Sequence, residues 1–391
     1  APNTALWIVS NISYQGINNA GAYVQGVWSG YDGNPDWDQP AFGRGSLTSS
    51  RIAEDPAQCG PNATACRMQD VVYAYDIYGN RITTTTFDEA GSRYGHTSFG
   101  NWFVTQTNYD SVYHIYPVTV TNPLNQVVTG VWDTTRSVLK QLHGPNQDVQ
   151  ADVYMRYDGL GRLVKQWQYP DTEALPTVSY AYGFSGTFWR TLTVNRETSG
   201  SGTNLPTQTF FDGFGRPILQ KSEIAEGTAN AAVYTEYDAL GNVIRQSLPI
   251  TLTNSASFSI YEDPPAATAW MTNTYDALGR TLSVRRPDQA VRTETYDIDA
   301  SLGFMTVTHY REGADGATGW AASKDFYDAM GRLRRVEQYT GGYAQIAQYT
   351  YDAIDRLTQV VNTNSQNGTS TTTTIGYNML GQKSYVDDPD L

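Results

Sequence analysis

One six-residue phrase recurs along this chain: an aromatic residue, Asp, two variable residues, Gly, and then Arg or Asn. The copy that begins at Tyr157 reads Tyr-Asp-Gly-Leu-Gly-Arg, and the copies that begin at Tyr327, Tyr351 and Tyr377 follow one another at intervals of 24 and 26 residues. A fixed phrase at nearly regular spacing is the signature of a repeat architecture. The phrase therefore predicts one supersecondary unit, repeated from about residue 70 to the end of the chain.

Each copy has the composition of a tight chain reversal. An Asp at the first turn position accepts hydrogen bonds from backbone N–H groups two residues on, and a Gly three residues later adopts positive φ. This predicts a type I turn closed by a glycine bulge, a common β-hairpin connection. In one copy Asp355 replaces the Gly, and Asp visits the left-handed region more readily than most residues. The predicted turn residues are Asp76, Gly79, Asp158, Gly161, Asp212, Gly215, Asp238, Gly241, Asp276, Gly279, Asp328, Gly331, Asp352, Asn378 and Gly381.

The residue before the Gly is apolar in most copies, which is unusual for a turn that faces solvent. We expect this side chain to pack against a neighbouring hairpin. The residues concerned are Leu160, Leu240, Leu278, Met330 and Leu380.

The stretches that flank each phrase are typical of strands. Residues 232–236 and 243–247, for example, are rich in Val, Tyr, Thr, Ile and Gln, which fit a half-buried pleated surface. Long gaps between copies indicate degenerate members at Phe87-Asp88, Trp132-Asp133 and Tyr296-Asp297. The sequence thus predicts an all-β fold, a repeat array of antiparallel hairpins that forms a long coiled sheet.

The repeated carboxylates also suggest acid/base chemistry, because paired carboxylates are common in hydrolases. A catalytic residue is needed once, however, whereas a turn cap is needed in every hairpin. We therefore predict a structural role for these Asp residues and no enzymatic activity.

The charge of the chain restricts its partners. The formal net charge is −13 and the isoelectric point is about 4.7. Binding to nucleic acid or to anionic membranes depends on clustered Lys and Arg, so neither partner is expected. No stretch approaches the ~20 apolar residues that span a bilayer.

Two cysteines, Cys59 and Cys66, lie seven residues apart across a loop of Gly, Pro and Asn. This spacing suggests a local disulfide in an oxidising compartment, with two free thiols as the alternative. The four His residues are dispersed and form no cluster with Cys, so we expect no zinc site.

Alternating oxygen-bearing residues near the N-terminus resemble a calcium-binding loop. They are Asp32, Asn34, Asp36 and Asp38. Trp37 occupies the position of the usual Gly, and Gly43 that of the bidentate Glu, so an Asp-rich turn is the competing interpretation. Calcium is the one candidate cofactor.

The phrase, its spacing and the flanking Thr/Tyr strands resemble the Rhs/YD-repeat family, which includes bacterial polymorphic toxins, toxin-complex B and C subunits, and teneurins. The resemblance covers about 320 residues. It implies a sheet that coils into a hollow shell, which encloses a toxic polypeptide in bacterial members and forms part of an adhesion ectodomain in teneurins. The family's Asp-Pro-x-Gly-Leu cleavage boundary is not present, and residues 387–390 do not replace it, so neither autoproteolysis nor a toxin is predicted.

We divide the chain into residues 1–70, a β-rich lead-in or plug, and residues 71–391, the YD-repeat sheet. The start at Ala1, without Met, suggests a processed piece of a longer protein that is secreted or at the cell surface.

Three functions compete. The first is a non-enzymatic, toxin-associated shell that encapsulates or presents a polypeptide passenger. The second is a filament, surface layer or adhesin in which copies of the chain associate with one another, with glycans as a further candidate partner. The third, a carbohydrate-active enzyme, is disfavoured because the turns account for the carboxylates.

Overall fold

The computed structural model describes residues 14–19, 22–33, 43–53, 59, 66–88, 90–92, 100–146, 149–225, 229–252, 258–311, 320–340 and 342–389. The chain divides into two compact units. Unit 1 comprises Ala1–Gly130 and Tyr343–Leu391, and unit 2 comprises Val131–Gly342. Apart from one turn of 3-10 helix at Val149–Ala151, the described regular structure consists of β-strands.

The strands follow one another with short connections. In the first third of the chain they are β1 (Tyr14–Asn19), β2 (Ala22–Tyr31), β3 (Leu47–Ala53), β4 (Arg67–Tyr75), β5 (Arg81–Phe87), β6 (Gly91–Ser92), β7 (Trp102–Tyr109), β8 (Pro117–Thr121) and β9 (Val127–Asp133). They continue as β10 (Val138–His143), β11 (Val153–Tyr157), β12 (Leu163–Gln168), β13 (Val178–Ser185), β14 (Phe188–Arg196), β15 (Asn204–Phe211), β16 (Pro217–Ala225), β17 (Ala229–Tyr237), β18 (Val243–Ser247) and β19 (Ile250–Leu252). The remaining strands are β20 (Trp270–Tyr275), β21 (Thr281–Arg285), β22 (Val291–Asp299), β23 (Phe304–Arg311), β24 (Trp320–Tyr327), β25 (Leu333–Thr340), β26 (Tyr343–Tyr351), β27 (Leu357–Asn364), β28 (Ser370–Tyr377) and β29 (Lys383–Asp387).

Most consecutive strands pair antiparallel, as in β11 with β12 and β15 with β16, whereas β6 pairs with β4 and the short β19 pairs with β17, so that β5 pairs with β7 and β18 with β20. In the first two of these pairs the register shifts by one residue at the aromatic residue of the phrase, at Tyr157 and at Phe211. Strand β17 has two partners on one side, since Asn230–Ala232 pair with β19 and Thr235–Tyr237 pair with β18. The predicted fold class, all-β and built from antiparallel hairpins, is confirmed.

Because the strands alternate in direction, successive connections lie at opposite ends of the strands. In unit 2 we call one end the turn rim: it carries the connections that follow β11, β13, β15, β17, β20, β22 and β24. The opposite end is the loop rim, which carries the connections that follow β10, β12, β14, β16, β19, β21 and β23. The phrase turns of unit 2 are all on the turn rim, and the longer connections, those that follow β10, β12, β14, β19 and β23, are on the loop rim.

Each unit has a small core on one face of its strands. In unit 2, Phe210, Leu219, Ala232 and Tyr234 are buried together, and Tyr261 packs against them from the connection after β19. In unit 1, the core consists of Trp28, Ala53, Cys59, Cys66 and Met68.

Lys221 anchors the connection after β19 on the core of unit 2. Its side chain is fully buried, and its Nζ donates to the carbonyl of Ile260 at 2.8 Å. Burial lowers the pKa of Lys221, although the nearby Glu262 carboxylate acts in the opposite direction. The connection therefore covers the sheet by a specific polar contact as well as by apolar packing.

The predicted boundary at residue 70 falls inside β4, which pairs with β3 through residues 68–72. The assignment of residues 1–70 as a separate lead-in stays a prediction.

Candidate functional site: the repeated turn

The phrase closes each hairpin with the same pair of backbone hydrogen bonds. In the copy at Asp212, the N–H of Asp212 donates to the carbonyl of Arg216 at 3.0 Å, and the N–H of Gly215 donates to the carbonyl of Asp212 at 3.1 Å. The other seven copies have the same two bonds at 2.9–3.2 Å, including the copy in which Asp355 replaces the Gly. The turn is thus specified by residues within five positions of one another.

The Asp side chain accepts hydrogen bonds from the backbone N–H groups inside the turn. One oxygen, Oδ1 of Asp212, accepts from the N–H groups of Phe214 and Arg216, each at 2.9 Å. The second oxygen accepts from Nε of Arg216 at 2.7 Å. Burial acts to raise the pKa of Asp212, but these hydrogen bonds and the Arg216 charge outweigh it, so the pKa is lowered.

Glycine is required at the fifth position of the phrase by backbone conformation rather than by space. The φ of Gly215 is +77°, in the region that L side chains rarely adopt, and nothing lies within 4 Å of where its Cβ would be. Asp355 adopts the same region, with φ of +65°. A side chain here would therefore meet open solvent but strained backbone angles.

The aromatic residue of the phrase connects one repeat to the one before it. The hydroxyl of Tyr237 donates to the carbonyl of Pro217 at 2.9 Å, and Pro217 directly follows the preceding phrase. The hydroxyl of Tyr377 donates in the same way to Leu357 at 2.9 Å. Burial raises the pKa of Tyr237, which keeps its hydroxyl a donor. Further hydroxyls that bind the carbonyl of an earlier strand in this way belong to Tyr75, Tyr109, Tyr157, Tyr182, Tyr275 and Tyr296.

The Arg of the phrase makes the connection in the other direction. The guanidinium of Arg216, fixed by Asp212, lies 4.6 Å from the ring centroid of Tyr237 in the next copy, and it donates to the carbonyl of Asp238 at 3.3 Å. Arg356 similarly lies over Tyr377, at 5.0 Å. Arg162 lies over Tyr182 at 4.5 Å and Arg280 over Tyr296 at 4.3 Å. Phrases that have both a Tyr and an Arg can therefore contact the hairpin before them through the Tyr and the hairpin after them through the Arg, as the copies at Tyr157 and Tyr275 do.

The apolar residue before the Gly does not behave as predicted in unit 2. The side chains of Leu160, Leu240 and Leu278 are about four-fifths exposed, so the expectation that they pack against a neighbouring hairpin is wrong. They project from the ends of the hairpins, beyond the reach of the adjacent strands. Met330 and Leu380 are partly buried.

No protein-family model matches the chain, and no curated protein sequence matches it significantly. Solved structures do match. A crystal structure of TcdB2-TccC3 without its hypervariable C-terminal region superposes with a TM-score of 0.61 at 12% identity over 94% of this chain. A TcdB2-TccC3-Cdc42 crystal structure gives 0.59 at 12% identity, and a Photorhabdus luminescens Tc holotoxin pore gives 0.57 at 12%, each over 94% of this chain. The chain spans 24%, 24% and 25% of the length of these three chains, in that order.

The chain has the Rhs/YD-repeat fold. The resemblance that the phrase predicted is confirmed at the level of the fold, and we refer to the phrase turns as YD turns below.

Two YD turns with long insertions are difficult to recognise in the sequence. Asp32 and Ser46 make one closing bond and one capping bond of a YD turn, since the N–H of Asp32 donates to the carbonyl of Ser46 at 2.9 Å and the N–H of Ser46 donates to Asp32 Oδ1 at 3.0 Å. Asp88 and Asn101 repeat both bonds, at 3.2 and 2.7 Å. The signal in the sequence is a Gly directly before the closing residue, at positions 45 and 100, each with positive φ.

The two other predicted degenerate copies differ in how their turns are capped. At Trp132-Asp133 the Asp133 carboxylate accepts from the N–H of Thr135 at 3.0 Å, so a capped turn is present. At Tyr296-Asp297 the tyrosine joins the series of hydroxyl contacts, but the turn is capped two residues later by Asp299, which accepts from the N–H of Ser301 at 3.0 Å.

The calcium candidate falls only partly within the described residues. The Asp32 carboxylate accepts from the backbone N–H groups of Gly43, Gly45 and Ser46 at 2.9–3.0 Å, as the cap of a YD turn does. Asn34, Asp36 and Asp38 lie outside the described residues. Within the described ranges no group of three or more His, Cys, Asp or Glu side chains is arranged to hold a metal ion. Calcium binding stays a prediction.

Cys59 and Cys66 form a disulfide, with an S–S distance of 2.00 Å, and both are buried in the core of unit 1. The disulfide closes the connection between β3 and β4, at the strand ends away from the YD turns of these strands. Among the described residues, no helix has the length and apolar character that crossing a bilayer requires.

One polar cluster outside the YD turns has the residue types of a catalytic site. His309 lies between two carboxylates, with Nδ1 3.3 Å from Glu294 and Nε2 3.3 Å from Asp325. The Tyr296 hydroxyl lies 3.0 Å from both Glu294 and the carbonyl of Thr281, so its single hydrogen is shared between these two acceptors. Burial acts to raise the pKa of Glu294, but hydrogen bonds from Arg292 and Tyr296 lower it overall. The cluster links three neighbouring strands, and its carboxylates are occupied by these contacts.

Proposed function

We propose that this chain forms part of a β-sheet wall that encloses or presents a polypeptide in a toxin-associated assembly. The observation that carries the proposal is the fold match to TcdB2-TccC3 chains over 94% of this chain. Since the chain spans about a quarter of their length, it would supply one portion of such a wall.

The YD turns are suited to this role. Each turn is closed by its own Asp or Asn, and where a copy has an Arg or a Tyr this side chain can bind a neighbouring copy, as Arg216 does with Tyr237 and Tyr237 does with Pro217. Such nearest-neighbour contacts allow repeats to be added without a growing central core. A wall of this kind can surround a space that the wall itself does not fill.

The role is non-enzymatic in this proposal. The carboxylates of the YD turns accept two backbone N–H groups and, in most copies, an Arg, as Asp158 does with Leu160 and Arg162. The hydrogen bond from the backbone of Arg162 is the largest contribution to the lowered pKa of Asp158. A carboxylate with a lowered pKa is a poor proton donor near neutral pH.

We also propose that the protein is secreted or displayed at the cell surface. The Cys59–Cys66 disulfide supports this, because disulfides persist in oxidising compartments. Mass spectrometry of the cell and culture fractions of the source organism tests it: protein found only in a cytosolic fraction, with both cysteines as free thiols that are alkylated without prior reduction, would contradict the proposal.

The enclosing role is tested on the natural polypeptide that contains residues 1–391, purified without denaturation. Cryo-electron microscopy should show a sheet-walled particle with additional density inside. A polypeptide in that density should resist protease until the wall is unfolded, and should be digested at once afterwards. Equal digestion before and after unfolding, or a particle with a solid interior formed by the wall's own side chains, would exclude the enclosing function.

A further inference from the structure

The turn rim of unit 2 presents a row of large apolar side chains to solvent. Leu160, Phe214, Leu240 and Leu278 are 80, 86, 79 and 78% exposed, and Phe184 is exposed on the hairpin between the first two. Adjacent hairpin ends are two strands apart, which is ~10 Å. An exposed apolar row of this length is unusual for a surface that stays in water.

The row is also nearly neutral in charge, although the chain carries −13 overall. Three of the four YD-turn carboxylates beside it are paired with an Arg of their own turn, at 2.6 Å for Asp158 with Arg162 and 2.7 Å for Asp212 with Arg216, whereas Asp238 accepts from the neutral amide of Asn242. Asp276 and Arg280 are paired in the same way. Like-charge repulsion therefore opposes association at this rim less than it does elsewhere on the protein.

The loop rim of unit 2 offers a second apolar surface. Tyr169, Leu175, Leu205 and Ile224 are exposed there, in or beside the connections that follow β12, β14 and β16. The two rims lie at opposite ends of the same strands, so a single copy cannot bring them into contact through these strands.

Unit 1 shows what a covered YD turn contacts. In the turn from Asn378 to Gln382, Met379 is only 4% exposed, and its carbonyl accepts a hydrogen bond from Nε2 of Gln69. Gln69 lies 310 residues earlier, near the start of β4, at the strand end away from that strand's own YD turn. A YD turn of one hairpin thus docks against the loop end of another hairpin.

We propose that the turn rim of unit 2 docks on the loop rim of unit 2 in a second copy of this chain, in the way that the turn at Met379 docks on β4. Because the two contacting surfaces differ, the interface is heterologous. Such an interface leaves a free rim at each end of the assembly, so copies add head to tail.

The experiment is sedimentation velocity of the full 391-residue chain over a concentration series, with electron microscopy of the most concentrated sample. We expect a weight-average mass that rises steadily with concentration and linear particles in the images. The turn-rim variant Leu240→Ser/Leu278→Ser should weaken the apparent association about tenfold or more, because two exposed apolar side chains are no longer buried at the contact. The matched control is Val112→Ser/Leu124→Ser, which removes two side chains of unit 1 that are 73 and 77% exposed, and it should associate like the parent chain.

A mixing test distinguishes the heterologous interface from others. The loop-rim variant Leu175→Ser/Leu205→Ser should also fail to associate alone, but an equimolar mixture with the turn-rim variant should give a 1:1 dimer and nothing larger, since each copy retains one intact rim. Association of the loop-rim variant alone, or no dimer in the mixture, would overturn the proposal. A parent chain that stays monomeric throughout the series would overturn it as well. Far-ultraviolet circular dichroism that matches the parent shows that each variant is folded.

Discussion

The turn from Asp212 to Arg216 in unit 2 and the turn from Asn378 to Gln382 in unit 1 have nearly the same geometry with different charges. In the first, Asp212 Oδ1 accepts from two backbone N–H groups at 2.9 Å each. In the second, Asn378 Oδ1 accepts from the N–H groups of Leu380 and Gln382 at 3.1 and 2.9 Å. Both turns have a Gly with φ of +77°.

The YD turn therefore has two roles that depend on different residues. The shape of the turn needs a Gly and an acceptor oxygen, and a neutral Asn supplies this oxygen as well as Asp does. Its connection to the next repeat needs the Arg, which the acidic side chain holds in place, as Asp212 holds Arg216 over Tyr237. In the neutral turn Gln382 is instead the acceptor, and receives a hydrogen bond from Nδ2 of Asn378 at 2.9 Å.

The largest effect is expected from Asp212→Ala. Two backbone N–H groups and the Arg216 guanidinium lose their acceptor, and the expected loss is about 2 kcal/mol of local stability. Asn378→Ala removes the same two backbone contacts without an ion pair, and the expected loss is about 1 kcal/mol. Hydrogen exchange of peptides that cover each turn, read by mass spectrometry, measures both. Equal losses would show that the ion pair contributes nothing.

The next effect is that of Gly215→Ala, which should cost about 1 kcal/mol, because an L side chain is strained at positive φ while no neighbour obstructs it. The matched control is Gly213→Ala in the same turn, where the added methyl also meets nothing within 4 Å and no positive φ is present. Urea unfolding monitored by tyrosine fluorescence compares the two. A control as destabilised as Gly215→Ala would remove the conformational explanation.

A smaller loss is expected for Tyr237→Phe, which deletes the hydroxyl that binds Pro217 and leaves the ring beneath Arg216. One partly exposed hydrogen bond is worth about 0.5 kcal/mol. Exchange should increase around β16 and β17 and remain unchanged around β28. Tyr343→Phe, at an exposed tyrosine, serves as the control. If the two variants show the same hydrogen exchange, the hydrogen bond from Tyr237 to Pro217 does not contribute to stability.

The smallest effect for a single turn is that of pH, because a protonated carboxyl still has one acceptor oxygen. The pKa of Asp212 is lower in the folded state than its unfolded value of about 3.9, so its stabilisation is complete above that value and is lost as the pH falls through the lower folded pKa. The Asn378 turn has no such group. Between pH 6 and pH 2, exchange protection corrected for intrinsic rates should therefore decrease more at the Asp212 turn. A larger decrease at the Asn378 turn would contradict the assignment of this pH dependence to the Asp212 carboxylate.

The local structure of this protein follows from nearby residues alone. The turn at Asp212, its Gly and its flanking strands follow from hydrogen bonds between residues at most four positions apart, so the six-residue phrase contains everything that the turn requires. The fold class follows in the same way, because strands joined by such turns form antiparallel hairpins.

Contacts between distant groups depend on how the strands are arranged in three dimensions, and the phrase does not predict them. Asp32 closes with Ser46 across a long insertion, Tyr182 joins the hydroxyl contacts without a phrase of its own, and Lys221 binds the carbonyl of Ile260. It also decided that Leu240 is exposed whereas Met379 is covered, although both lie in YD turns. The physical reason is that a turn is closed by neighbours in the chain, whereas the burial of its tip depends on surfaces hundreds of residues away that the phrase does not encode.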